Sequence, residues 1–162
     1  MDVSHFKNGR TECIRLVSEE SLAFVGTLLQ GNPSREALDA ALAEHKARIK
    51  ACKLGQGPNR HLLGLKLMAA RAGGKLPEFY KDEGYQTFTT DFLSTSTVGD
   101  NSTVVNFAFA PTSVGGLGIN YTITPEGWLY MVSHTQEQQE KVNTFVDALK
   151  VGGKNLLEFL NA

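Results

Sequence analysis

Length, composition and charge restrict the classes of protein to which this chain can belong. Its 162 residues, 41% of them hydrophobic and 20% charged, are typical of one globular domain with a real core. A net charge of -1 and a pI near 6.4 argue against a nucleic-acid or anionic-membrane surface. No apolar run approaches the ~20 residues that cross a bilayer. Cys13 and Cys52 fit neither a disulfide framework nor a CxxC metal site, and the N-terminus lacks a signal-peptide layout. We therefore expect an intracellular protein with reduced thiols.

Two amphipathic helices are predicted in the first third of the chain. The first begins after Ser18, whose side chain suits an N-cap, and ends at Gly31. The second begins at Ser34 and ends before Gly55. Its acidic and basic residues share one side, which we interpret as a solvated face: Glu44, Lys46, Arg48 and Lys50.

A third helix begins at Pro58, which is acceptable in a first turn, and ends at Gly73-Gly74. Apolar side chains surround it almost completely, so we expect it to be buried: Leu62, Leu63, Leu65, Leu67, Met68, Ala69 and Ala70. Arg60 in its first turn, near the positive end of the helix dipole, predicts a site for a carboxylate or phosphate. An internal salt bridge to Asp or Glu explains Arg60 equally well. His61 is interpreted as a packed or hydrogen-bonded histidine.

The second half of the chain changes to a β pattern after an aromatic-rich turn and loop at 75–91. Strands are predicted for Val104–Phe109, Gly118–Thr124 and Trp128–Ser133. The sequence Thr124-Pro125-Glu126-Gly127 suits a type I turn, so the last two strands should form a hairpin.

A final helix is predicted over residues 135–161, with a break at Gly152-Gly153. The chain contains no repeat and no low-complexity linker. The predicted fold class is α/β or α+β, a single domain over residues 1–162 in which helices flank a mixed sheet.

Four consecutive hydroxyl side chains follow Leu93, namely Ser94, Thr95, Ser96 and Thr97. In an extended segment, Ser94 and Ser96 point to one side and the two threonines to the other. Two hydroxyls on one wall could donate hydrogen bonds to a ligand oxygen or to a developing negative charge. A polar strand end, in which hydroxyls solvate the backbone, is the alternative and is commoner in arbitrary proteins.

No general base accompanies these hydroxyls in the sequence. Acyl transfer to an alcohol needs a base of near-neutral pKa, usually a histidine. The four histidines are scattered, none begins an HxxxD pattern, and they have no metal-ligand spacing: His5, His45, His61 and His134. The glycines at 115–118 precede a strand and are neither a Walker loop nor a dinucleotide fingerprint.

Four motifs in the same order resemble the C-terminal end of the carnitine/choline acyltransferase family. They are Phe6 with Gly9-Arg10-Thr11-Glu12 and Ile14-Arg15, then Arg60-His61-Leu62-Leu63-Gly64-Leu65-Lys66, then Leu93-Ser94-Thr95-Ser96, and finally Phe109-Ala110-Pro111 with Gly118-Ile119-Asn120-Tyr121. The resemblance covers residues 6 to 121, and the terminal hairpin and helix fit it. Members transfer an acyl group between coenzyme A and the hydroxyl of carnitine or choline.

The resemblance implies a fold like that of chloramphenicol acetyltransferase, in which two related halves meet along a tunnel with a catalytic histidine. That histidine and the lysines that hold coenzyme A lie upstream of the matching region. The chain corresponds to about the last quarter of a family member, which explains the missing base. The implied co-substrate is coenzyme A or acyl-CoA, with neither a covalently bound cofactor nor a metal.

The same resemblance implies a role for individual residues. Thr11 and Arg60 match the threonine and arginine that hold the carboxylate of carnitine, and this pair argues against choline. Ser96 is implied to contact carnitine and the tetrahedral oxyanion, while Ser94 and Thr95 shape the same wall and the coenzyme A passage. Phe109 matches an aromatic residue near the trimethylammonium group, where a cation–π contact is plausible.

A bulky residue shortly before the Phe-x-Pro stretch marks acetyl-selective members of the family, and glycine marks long-chain ones. That position falls on Phe107, with an uncertainty of one residue, which favours acetyl or another short acyl group. Departures from the family pattern are Thr97 for glutamine, Ala110 for glycine, and the glycine-rich 115–118 for Asp-Gly-Tyr-Gly. A carnitine-site tyrosine expected ahead of Gly9 is absent.

The leading hypothesis is therefore the C-terminal part of a short-chain carnitine O-acyltransferase, whose remaining N-terminal part carries the histidine. Two alternatives are a free-standing, non-catalytic carnitine-binding module and one half of a split enzyme. The expected ligands are L-carnitine and acyl-CoA, and nucleic acid is not expected. The family occupies mitochondria, peroxisomes and other sites, so the compartment stays open. Leu160-Asn161-Ala162 is not a peroxisomal signal.

Overall fold

The computed structural model describes residues 12–98 and 102–162, which divide into two compact units. The first unit comprises the described residues up to Tyr80 together with Asn155–Ala162, and the second comprises the described residues of Lys81–Lys154. Within these ranges no helix is both long and apolar enough to span a bilayer.

Three helices make up most of the first unit: α1 over Glu19–Leu29, α2 over Arg35–Lys53 and α3 over Pro58–Arg71. The two serines predicted as N-caps perform that role. The Ser18 hydroxyl accepts a hydrogen bond from the N–H of Ser21 at 3.1 Å, and the Ser34 hydroxyl accepts one from the N–H of Ala37 at 3.2 Å. The prediction of three helices is confirmed.

The apolar contacts of the first unit centre on aromatic rings. Phe24 of α1 is buried, and its ring lies 5.9 Å from that of Phe159, centroid to centroid. The guanidinium of Arg35 lies 5.2 Å from the centroid of Phe159, a cation–π contact at the start of α2. Beyond α3, the Tyr80 hydroxyl donates to the carbonyl of Leu62 at 3.1 Å.

The prediction that α3 is buried is wrong. None of its residues is buried, and four of its large apolar side chains are between 42% and 64% exposed: Leu63, Leu65, Leu67 and Met68. Burial on all sides requires neighbouring elements on all sides, and the described residues provide no helix or strand that packs closely along α3. Much of its apolar surface is therefore exposed in the part of the chain that the structure describes.

The second unit is built on a three-stranded mixed sheet, preceded by a 3₁₀ turn at Glu78–Lys81 and by α4 at Glu83–Thr89. The strands are β1 (Leu93–Ser96), β2 (Leu117–Thr124) and β3 (Gly127–Ser133), in that spatial order. β1 pairs with β2 in parallel, and β2 with β3 as the predicted antiparallel hairpin. The expectation of a mixed sheet with helices is confirmed.

A long helix, α5, follows a 3₁₀ turn at Gln136–Gln138 and runs over Gln139–Asn161. Val142 on α5 packs against Leu117 and Ile119 on one face of the sheet, which is the core of the second unit. Four partly buried side chains complete this cluster: Tyr130, Val132, Phe145 and Val146.

The predicted break at Gly152-Gly153 does not occur, since α5 continues through both residues. Glycine lowers helix propensity by about 1 kcal/mol relative to alanine, but it keeps its backbone N–H and C=O, so the hydrogen-bond ladder can continue. The division between the two compact units nevertheless falls directly after this pair, at Lys154 and Asn155.

The prediction of a strand at Val104–Phe109 is also wrong, because that segment is irregular. Both edges of β2 are already paired, one with β1 and the other with β3, so the segment has no open edge of β2 to join. It lies over the sheet face opposite the core. Two of its carbonyls accept hydrogen bonds from hydroxyls on that face: Val105 from Thr122 at 3.1 Å, and Phe109 from Ser133. We call residues 105–109 the covering segment.

Candidate functional site

The first candidate site is the N-terminal end of α3, where the sequence predicts an anion site. Gly57 is the N-cap residue and has no side chain with which to cap the helix. The carboxylate of Glu12 does so instead, since its Oε2 accepts a hydrogen bond from the N–H of Arg60 at 3.2 Å and its Oε1 one from the N–H of Cys13 at 2.9 Å. A Cβ at Gly57 would lie 2.6 Å from Glu12 Oε2. Only glycine therefore allows this approach without a shift of Glu12.

The segment that carries Glu12 is held against two helices. Arg15 Nε donates to Asn59 Oδ1 on α3 at 3.4 Å. Arg48 on α2 donates through Nη1 to the carbonyls of Arg15 at 2.8 Å and Val17 at 3.0 Å, and through Nε to Glu44 at 2.6 Å. Arg48 is therefore an exception to the predicted solvated face of α2. The sequence does not distinguish Arg48 from the three other charged residues assigned to the same face.

The geometry of this helix end can be compared with the two interpretations of Arg60, as an anion-binding residue and as a partner in an internal salt bridge. An internal carboxylate does lie at this helix end, and it bonds to the backbone N–H of Arg60. Arg60 itself is an exposed residue. Thr11, the other predicted carboxylate contact, lies outside the described residues. His61 is exposed rather than packed.

Both cysteines lie in the first unit. Cys52 is buried at the end of α2, and burial raises the pKa of its thiol, with smaller contributions from the negative charges of Glu12 and Cys13. Cys13 is exposed. The raised pKa makes the Cys52 thiol a poor nucleophile, because the thiolate is the reactive form.

The second candidate site is the sheet face that the covering segment overlies. Ser94 pairs in register with Gly118, and Ser96 with Asn120, so both serines lie on this face as the alternation predicts. The hydroxyl of Ser94 lies 2.5 Å from that of Thr112, and Ser96 is exposed. Thr95 pairs with Ile119 and therefore lies on the opposite face.

The covering segment brings its two phenylalanines to the same place. The rings of Phe107 and Phe109 lie 6.0 Å apart, centroid to centroid, with an angle of 31° between their planes, and both residues are partly buried. Gly118 permits the close approach, since a Cβ there would lie 2.5 Å from the carbonyl oxygen of Phe109 and 3.3 Å from its ring. The predicted residues Ser94, Ser96, Phe107 and Phe109 thus belong to one layer of the second unit.

Asn120 also lies on this face; it is part of the fourth sequence motif, but no role is predicted for it. It is 1% exposed, and within residues 12–98 and 102–162 neither its Oδ1 nor its Nδ2 has a hydrogen-bond partner. In the sequence it stands between Ile119 and Tyr121, where alternation predicts an ordinary polar residue facing solvent. The covering segment overlies this face of the sheet, and its position could not be read from the sequence.

Comparison with known proteins gives the class to which the chain belongs. Residues 1–151 match the family described as choline/carnitine O-acyltransferase. The chain therefore belongs to the choline/carnitine acyltransferase family, as its motifs predict.

Individual relatives carry two kinds of name. The chain is 31% identical over 160 residues to a Saccharomyces cerevisiae protein named "Putative mitochondrial carnitine O-acetyltransferase", covering 94% of this chain and 22% of the relative. It is 38% identical over 129 residues to mouse mitochondrial carnitine O-palmitoyltransferase 2, covering 73% of this chain and 19% of the relative. A Mycoplasma pneumoniae protein named "Putative acetyltransferase" is 28% identical over 170 residues, covering 99% and 28%. The chain thus spans between a fifth and about a quarter of the length of these curated relatives.

Proposed function

We propose that this chain is the C-terminal part of a carnitine O-acyltransferase that exchanges an acetyl or other short acyl group between coenzyme A and the carnitine hydroxyl. The observation that carries the proposal is the hydrogen bond between Glu12 and the N–H of Arg60. It joins two of the family motifs, Gly-Arg-Thr-Glu and Arg-His-Leu, which are 48 residues apart in the sequence. The proposal includes a fold like that of chloramphenicol acetyltransferase for the whole enzyme.

Arg60 and Thr11 are the proposed clamp for the carboxylate of carnitine. A guanidinium binds a carboxylate through two parallel hydrogen bonds, and Arg60 is an exposed residue in the first turn of α3. Thr11 precedes Glu12 in the chain, so the hydrogen bonds of Glu12 and Arg15 to α3 support a role of this segment beside Arg60. Choline has no carboxylate and would gain nothing from such a clamp.

Ser96 is the proposed oxyanion donor. A histidine from another part of the polypeptide would take the proton of the carnitine hydroxyl, whose oxygen then attacks the thioester carbonyl. The hydroxyl of Ser96 would donate a hydrogen bond to the oxygen that becomes negative. Collapse of the intermediate breaks the C–S bond, and the histidine returns its proton to the thiolate of coenzyme A. Ser94 would line the coenzyme A side, and Phe109 the trimethylammonium side. Thr95 is left out of this wall, because it lies on the opposite face of the sheet.

The size and position of Phe107 support the proposed preference for a short acyl group. Its ring is partly buried beside Phe109, on the same sheet face as Ser96, where it would fill space that a long acyl chain needs. The named relatives include both acetyl- and palmitoyltransferases, so the preference rests on this residue.

The proposal is tested with the intact polypeptide from its natural source. Release of free coenzyme A from acetyl-CoA is followed with L-carnitine, with choline and without an acceptor. We expect release with carnitine alone, and a parallel octanoyl-CoA assay should be at least tenfold less efficient. Equal rates with choline, or no release with either acceptor, would overturn the proposal. Calorimetric binding of L-carnitine without any turnover would instead favour a non-catalytic binding module.

A further inference from the structure

Asn120 is an unexplained polar group in the second unit. Both polar atoms of its carboxamide are buried and have no hydrogen-bond partner among the described residues, a state that destabilises the folded chain relative to a satisfied or apolar side chain. Buried polar side chains nearly always have a partner, so each exception calls for an explanation. Thr122, the neighbour on the same face, follows the rule, because its hydroxyl donates to the carbonyl of Val105.

The surroundings of Asn120 are fixed by three strands and the covering segment. Asn120 pairs in register with Ser96 on β1 and with Met131 on β3, so Ser96 lies beside it on the same face. At one end of the covering segment, the carbonyl of Val105 accepts a hydrogen bond from Thr122. At the other end, the carbonyl of Phe109 accepts one from Ser133 and lies close to Gly118. The middle of the covering segment, at Phe107, is therefore level with Asn120.

The unbonded atoms indicate what kind of group is missing. The Nδ2 atom is a donor and Oδ1 an acceptor, so a group that only accepts, such as an oxyanion, would satisfy half of the carboxamide. A hydroxyl satisfies both, since it accepts from Nδ2 and donates to Oδ1. An acyl carbonyl held at Ser96 would place the substituents of its neighbouring carbon near Asn120.

We propose that Asn120 is a specificity-determining residue that binds the hydroxyl of a short 2-hydroxyacyl group. This inference rests on the proposed function, because it takes the acyl site to lie between Ser96 and Phe107. A site built to hydrogen-bond a substrate hydroxyl discriminates against the analogue that lacks it, because its own polar groups then stay unpaired. Asn120 accordingly favours a hydroxyacyl group over an alkyl group of equal size.

The test compares two ligands with equal numbers of heavy atoms, O-glycolyl-L-carnitine and O-propionyl-L-carnitine. The dissociation constant of each is measured by calorimetry on the intact polypeptide without coenzyme A, so that no turnover occurs. The variants are Asn120→Leu, which keeps the approximate volume and removes both hydrogen-bonding atoms, and Thr122→Val as the matched control. Thr122 is a buried residue of the same face whose hydroxyl already has its partner.

We expect the natural protein to bind the glycolyl ligand roughly tenfold more tightly than the propionyl ligand, and Asn120→Leu to abolish or reverse that ratio. Thr122→Val should lower the thermal midpoint but leave the ratio unchanged. Equal affinities in the natural protein, or a ratio that Asn120→Leu does not alter, would overturn the inference while the proposed function stands. A higher thermal midpoint with an unaltered ratio would identify Asn120 as a core residue without a ligand. Binding of neither ligand would overturn the proposed function and this inference with it.

Discussion

The two candidate sites differ in how completely their buried and half-buried polar groups are satisfied by the chain itself. At the N-terminal end of α3, both carboxylate oxygens of Glu12 accept hydrogen bonds from backbone N–H groups. On the sheet face, neither amide atom of Asn120 is bonded. The first site can be formed without a ligand, whereas the second retains a costly unpaired group. Local exceptions of the second kind are expected at functional or strained sites.

The largest expected effect belongs to the sheet face. Ser96→Ala in the intact polypeptide should lower kcat by about 10²–10³, because it removes the hydrogen bond to the developing oxyanion. The KM for carnitine should change much less, since the donor acts mainly in the transition state. Thr97→Val is the matched control, because it removes the next hydroxyl along the chain, one residue beyond β1. A loss of kcat that is equal in both variants would contradict a special role for Ser96.

The second effect concerns the covering segment. Phe107→Gly should raise the octanoyl-CoA to acetyl-CoA ratio of kcat/KM by roughly tenfold or more, since each methylene accommodated in an apolar pocket changes specificity by about 1–3 kcal/mol. Val104→Gly, an exposed residue just before the covering segment, controls for loosening of the backbone. If both variants shift the ratio alike, flexibility rather than the volume of Phe107 determines the chain length.

Much of this fold could be predicted because the signals are local. Ser18 and Ser34 cap the helices that follow them, Gly31 and Gly55 have positive φ directly beyond their ends, and Pro125 lies in the predicted hairpin loop. Each of these depends on a few neighbouring residues and on backbone geometry, so the sequence around it is sufficient. That Ser94 and Ser96 lie on the same face also follows from local geometry, because side chains alternate between the two faces along a strand.

Apart from the break predicted at Gly152-Gly153, the failures depend on what surrounds an element. An all-round apolar pattern predicts burial of α3 only if other elements are present to cover it. Residues 104–109 have a β pattern, but both edges of β2 are occupied. Asn120 is buried on the sheet face that the covering segment overlies. None of these conditions can be read from the residues of the element itself, and the Glu12 contact with α3 joins positions 48 apart.

Two glycine substitutions, which should have smaller effects, test the site at the N-terminal end of α3. Gly57→Ala should raise the KM for carnitine several-fold and lower the free energy of unfolding by about 1 kcal/mol, since its Cβ displaces the carboxylate that caps α3. Gly64→Ala is the matched control, because it lies inside α3 with no atom within 4 Å of the added Cβ. That variant should be more stable by about 0.5–1 kcal/mol and bind carnitine normally. A Gly57→Ala protein with unaltered carnitine affinity would separate the Glu12 contact from the clamp.

The smallest effect distinguishes a continuous α5 from a broken one. In the structure nothing lies within 4 Å of a Cβ added at Gly152 or at Gly153, and both residues are helical. Replacing both by alanine should therefore raise the free energy of unfolding by about 1–2 kcal/mol, which urea titration followed by circular dichroism measures. Phe159→Ala, farther along the same helix, should lower it through loss of its contacts with Phe24 and Arg35. If the double alanine variant is less stable than the natural protein, the pair adopts a non-helical conformation in solution, and the break that the sequence predicts is real.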